Sequence, residues 1–123
     1  MGSEAGRLLD AARLDDLGRL EKIAGKPLVR GIVESFLAET PRRMERMREA
    51  LGRSDAEGLA FVAHSLKGSS GQIGALRVAA VSAELEAVGR KGSLEDASAP
   101  LADLDREMGR VAPLLAERAA ASP

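Results

Sequence analysis

Residues 63–75 read AHSLKGSSGQIGA, and the reading of the whole chain turns on them. They hold its single histidine, His64, with Lys67, one of only four lysines, three residues later. Gly68, Gly71 and Gly74 then recur at intervals of three, with serines among them. The flanking sequence is rich in Ala, Leu, Arg and Glu, all strong helix formers. At about 3.6 residues per turn, a helix through this stretch gathers Leu59, Val62, Leu66 and Ile73 on one side, flanked by Ala63, Ser69 and Ser70. That side is the core face. His64 falls almost opposite, in solvent, among Glu57, Ala60, Phe61, Lys67, Gly68 and Gly71. Glycine inside an exposed helix costs about 1 kcal/mol relative to alanine, so stability does not explain Gly68 and Gly71. They leave room for another surface to approach the imidazole. Lys67, at i+3, shares a helix surface with His64, and an ammonium beside a nucleophilic nitrogen suits chemistry on an anion, phosphoryl above all.

Plainer readings stand beside these. An exposed histidine near a lysine is ordinarily solvated surface, and Gly71 and Gly74 can simply end a helix. Ser69 and Ser70 read as small residues at a helix crossing, with hydroxyls bonded back to the preceding turn.

Working outward, the 123 residues suit one domain, large enough to bury a core without staples. Apolar residues make up 45% and charged residues 30%, with a formal net charge of -1, the balance of a globular chain. No basic tract is present, and two Phe without Tyr or Trp give bases nothing to stack on, so nucleic acid is not an expected partner. The absence of cysteine removes disulfides, a thiol nucleophile and cysteine metal sites, and one histidine does not make a transition-metal set. No apolar run is long enough to span a membrane and no signal-peptide core opens the chain, so a cytoplasmic protein that does not bind membrane is expected. Residues 1–3 read as an expression remnant, and residues 1–7 and 119–123 are expected to be frayed.

No alternating apolar pattern marks a strand, and five helical segments emerge. The first runs from about Leu8 to Ala24. The second opens with Pro27 near its first turn and carries Val29, Ile32, Val33, Phe36, Leu37, Met44, Met47 and Leu51, with a kink or restart expected at Pro41. The third is capped by Asp55 and continues to about Gly71. The fourth spans about Ala75 to Gly89. The last begins near Ser93 or after Pro100 and shows a heptad seam of Leu101, Leu104, Met108, Val111 and Leu115, with Pro113 expected to bend or loosen its end. The expected fold is all-α: an antiparallel up-down four-helix bundle with a short additional N-terminal helix packed across one end.

The stretch from His64 to Ala75 resembles the signature of histidine-containing phosphotransfer (HPt) domains, His-x-x-Lys-Gly, small residues, then Gly-Ala. The resemblance takes in Phe36 in the second helix, ALGRSD before the third, ELEAVGRKG after the fourth, and the Leu-rich last helix. It implies a four-helix bundle whose histidine exchanges phosphoryl with the aspartate of response-regulator receiver domains. By position, His64 is then the phosphoryl acceptor through Nε2, Lys67 steadies the phosphoryl charge, and Gly68 clears space for the receiver. Gly71, Phe61, Glu86 and Arg90 are docking or orienting candidates. Glu86 stands where several members carry glutamine or another polar residue bonded to the ring. It reads equally as the partner of His64 Nδ1–H and as half of an exposed i,i+4 pair with Arg90. The resemblance further implies a sensor histidine kinase as a partner, hybrid or the parent chain itself, Mg2+ in the receiver but no cofactor in this chain, and a monomer.

The chain has neither a G-x-x-x-x-G-K-[ST] loop nor a kinase glycine-rich loop, so phosphoryl must come from another protein rather than from ATP bound here. Two rivals remain: a non-catalytic helical adaptor in which His64 is incidental, and the phosphorylated domain of a chemotaxis-type kinase.

Overall fold

The structure is a computed structural model and describes residues 8–122. Its helices are α1 (Ala11–Ala24), α2 (Val29–Gly52), α3 (Ala56–Gln72), α4 (Leu76–Lys91) and α5 (Ser98–Ala120), with a short 3-10 turn at Leu94–Asp96 before α5. No strand occurs among the described residues. The chain is all-helical.

Helices α2 to α5 pack in a closed series, α2 on α3, α3 on α4, α4 on α5, and α5 back on α2, with α1 against α2. The packing of α3 on α4 is the most extensive. Leu59 and Leu66 of α3, Val81 and Leu85 of α4, and Met47 of α2 are almost wholly buried in the common core. The seam of α5 is buried along its whole length, from Leu101 through Leu104, Met108 and Val111 to Leu115.

Several boundaries differ from the sequence expectation, and each has a local cause. Helix α1 starts at Ala11, not near Leu8, because Asp10 takes extended backbone and its carboxylate caps Ala12 N–H at 3.2 Å. The Asp10 N–H donates to the Gly74 carbonyl at 2.7 Å, which pins the entrance of α1 to the α3–α4 turn. Pro27 lies in the connection ahead of α2, not in its first turn. The orphan N–H groups there are satisfied from α1: Glu21 accepts from Leu28 at 2.7 Å and Val29 at 3.0 Å.

Neither internal proline breaks its helix. Pro41 and Pro113 are exposed, and buried residues hold the helix on both sides, Phe36 and Met44 around the first, Val111 and Leu115 around the second. Core packing outweighs the lost hydrogen bond at each. Helix α5 begins at Ser98, with Pro100 in its first turn, and continues to Ala120 with Ala119 buried, so residues 119 and 120 are helical where fraying was expected. Ala121 follows the helix as a turn, and the Ser122 hydroxyl after it donates to the Arg118 carbonyl at 3.1 Å. Residues 1–7 and 123, to which the other terminal expectations apply, lie outside the described residues.

Helix α4 passes through Gly89 instead of ending there, and stops at Gly92, whose φ of 75° is left-handed. Gly89 has a different task. A Cβ on it would lie 2.8 Å from both the Ala56 carbonyl oxygen and the Ala60 nitrogen of α3. The two helices therefore touch backbone to backbone at this point.

Candidate functional site around His64

Asp55 starts α3 by accepting from Gly58 N–H at 2.8 Å, with Glu57 in the first turn. From there the helical period sets the faces. Leu59, Ala63, Leu66 and Ser70 are buried, and Val62 and Ser69 lie at the edge. His64 points outward with 63% of its side chain exposed, as the wheel requires. Ser70 donates to the Leu66 carbonyl, and Ser69 accepts from Arg43 of α2 at 3.2 Å, so both serines act within the bundle.

The crossing at Gly89 brings α4 close enough to set Glu86 and Arg90 beside His64. Glu86 is buried, its side chain only 7% exposed, which corrects the reading of it as half of an exposed pair. Its carboxylate nevertheless makes both contacts foreseen for it. Oε2 lies 2.9 Å from His64 Nδ1 and accepts from Arg90 Nε at 3.0 Å. Oε1 is 2.8 Å from Lys67 Nζ. One carboxylate thus gathers an imidazole, an ammonium and a guanidinium.

These bonds hold the Glu86 carboxyl down at about 2, Lys67 contributing most, then Arg90, with His64 adding and burial opposing. Glu86 is consequently ionised at neutral pH and can only accept. In the neutral ring the hydrogen between it and His64 belongs to Nδ1, leaving the lone pair on Nε2.

The surroundings of Nε2 are open. A Cβ at Gly68 or at Gly71 would meet nothing within 4 Å. Phe61 is 75% exposed one turn before His64, and with Glu57, Ala60, Gly89 and Arg90 it lines a hollow beside the histidine. Gly74 turns the chain toward α4 with φ 80°, and Cβ-sized space is absent there because the Asp10 carbonyl would stand 2.3 Å away. The structure thus brings together His64, Lys67, Phe61, Glu86 and Arg90, with Gly68 and Gly71 on the same open side. No group of three or more His, Cys, Asp or Glu that could hold a metal occurs among the described residues.

Sequence reasoning missed Gly89, which it took as a helix end. The available signal was the small pair Ala56 and Ala60, four apart on α3, which offers a shallow face to a glycine on a neighbouring helix.

The family model for the Hpt domain matches residues 31–113, most of the chain. A crystal structure of histidine-containing phosphotransfer protein B from Pseudomonas aeruginosa PAO1 superposes with a TM-score of 0.82 at 28% sequence identity, covering 92% of this chain and 95% of that one. No curated protein sequence matches. The chain belongs to the Hpt domain family. Its function is histidine phosphotransfer in two-component phosphorelay. No helix among the described residues is long and apolar enough to cross a membrane.

Proposed function

We propose that His64 is the residue that carries the phosphoryl group, and that it exchanges it with the aspartate of a response-regulator receiver domain. The observation that carries this reading is the bond from Nδ1 to the ionised Glu86 beside an exposed Nε2. Nε2 attacks the phosphorus of the aspartyl phosphate, the acyl P–O bond breaks, and its electron pair leaves with the receiver carboxylate. Phosphoryl transfer of this kind depends on positioning and electrostatics more than on acid–base chemistry. Lys67 supplies a cation within reach of the transferred group, and Gly68 and Gly71 let the receiver loops come close. Phe61 offers an apolar contact at the rim.

The four helices α2 to α5 are read as an up-and-down antiparallel bundle with α1 across the end bearing the α3–α4 turn. The protein works as a monomer, with phosphoryl delivered from a sensor kinase through a receiver. Mg2+ belongs to the receiver, not to this chain.

The test is incubation with a phosphorylated receiver. Acid-labile, alkali-stable label is expected on the parent and none on His64→Gln, which should fold because the side chain is largely exposed. Label persisting on that variant would refute His64 as the acceptor. No label on either would favour a helical adaptor, and label only from ATP with a kinase domain would favour a chemotaxis-type relay.

A further inference from the structure

The anion that holds the ring has a consequence for the phosphorylated state. Attack by Nε2 of a ring that carries its hydrogen on Nδ1 produces an N-phosphoimidazolium, with phosphorus on one nitrogen and hydrogen on the other. In water such a ring sheds the Nδ1 proton to become a neutral phosphoimidazole. The choice between the two forms decides how readily the phosphoryl leaves. From the cationic form the leaving group is neutral imidazole; from the neutral form it is imidazolate, a much poorer one.

Glu86 lies 2.9 Å from Nδ1 and is almost buried, so little water competes for that hydrogen. An unprotonated Nδ1 would set a lone pair against carboxylate oxygen, a repulsion that only the other partners of that carboxylate, Lys67 and Arg90, relieve. The charged groups facing the ring are Lys67 and Glu57 from its own helix and Glu86 and Arg90 from α4. Lys67 and Arg90 oppose a ring cation as long as they stay on Glu86. Both side chains are substantially exposed, at 41% and 67%, and can turn to an arriving phosphoryl. The carboxylate then needs a replacement cation, and the ring is the one in contact. An opposite charge this close favours the charged form of its neighbour.

We propose that Glu86 is a positioning residue that keeps phosphorylated His64 protonated at Nδ1, so that the chain carries phosphoryl as a short-lived phosphoimidazolium poised for onward transfer. This rests on His64 as the acceptor. No proton moves in either direction of the exchange. Outward, an aspartate oxygen attacks phosphorus, the P–N bond breaks, its electron pair returns to Nε2, and neutral Nδ1–H imidazole is regenerated. The slow loss to water follows the same course: water oxygen takes the phosphorus, Nε2 recovers its pair, and the water proton goes to solvent.

The experiment phosphorylates the parent and Glu86→Gln with a receiver or with phosphoramidate, removes the donor, and follows decay of the label from about pH 5 to about pH 9. A glutamine can turn its NH2 toward an unprotonated Nδ1, so the variant keeps ring orientation without the charge. The parent's fast decay is expected to persist to higher pH. The pH at which decay slows should fall by about one unit or more in the variant, giving a label that lasts about tenfold longer near pH 8. Nitrogen NMR of the phosphorylated parent at that pH should show a protonated Nδ1, and this measurement stands even if the variant accepts no phosphoryl. An unprotonated Nδ1 in the parent, or coincident decay profiles on normally labelled proteins, would overturn the role of Glu86 and leave His64 as the acceptor. Absence of label on the parent's His64 would overturn both.

Discussion

Gly68 and Gly89 carry the same intrinsic helix penalty and stand close to the same histidine, yet they face opposite circumstances. Around Gly68 an added Cβ would meet nothing within 4 Å; at Gly89 it would press into the backbone of α3 at 2.8 Å. One leaves the surface beside His64 clear, which under the proposed function admits a receiver. The other draws two helices of the same molecule together. A glycine in an exposed helix is thus not a single signal, because its meaning depends on what lies across from it.

The comparison is tested most severely by placing valine at each position. Gly89→Val has to displace backbone, for which no side-chain rotation can compensate, and should lose about 3 kcal/mol in urea unfolding. Gly68→Val should stay within about 0.5 kcal/mol of the parent, since it is an exposed substitution. Comparable losses at both sites would erase the distinction.

Gly68→Gln should fold as the parent does but slow transfer from a receiver about 100-fold, equivalent to about 2.7 kcal/mol of barrier. Phosphoramidate, which needs no broad docking surface, should react with variant and parent at similar rates. A receiver that transfers equally fast to both would mean that the clearing at Gly68 is not used.

Lys67→Ala examines whether that open side acts through charge as well as through space. Under the proposed function the ammonium assists and forms no bond to phosphorus, so single-turnover transfer should slow about tenfold, or about 1.4 kcal/mol, the effect shrinking as salt is added. An unchanged rate at low ionic strength would reduce Lys67 to a partner of Glu86.

The smallest effect is Gly68→Ala. Its backbone is regular helix, so unfolding should show a gain of up to about 1 kcal/mol from propensity alone. A loss would mean that some contact depends on the missing Cβ.

The placement of His64, Lys67 and Gly68 on one outer face was legible because all three sit on one helix, whose period alone fixes which way each position faces. The seam of α5 was legible for the same reason. Glu86 was half legible: its neighbour in sequence, Arg90, could be paired by spacing, but its burial depends on how closely α4 approaches α3. That approach is set by Gly89 against Ala60, a relation between residues 29 apart that no periodicity contains. The prolines show the same limit, since the helix does not restart at Pro41 or end at Pro113. A proline ends a helix readily only where nothing holds the turns on either side, and here buried side chains do. Glu21 capping α2 belongs to the same class, since its reach across a turn shows only when the turn is folded.

The exposed Phe61 has a practical side. The chain has no tryptophan or tyrosine and only two phenylalanines, the other being the buried Phe36. It is therefore almost dark in the near ultraviolet. A single indole introduced as Phe61→Trp would emit against an empty background, beside His64 and 75% open to water at the outset. A receiver settling over it would shift that emission to the blue, so that docking could be timed separately from the chemistry in one stopped-flow trace, with no label attached to either protein.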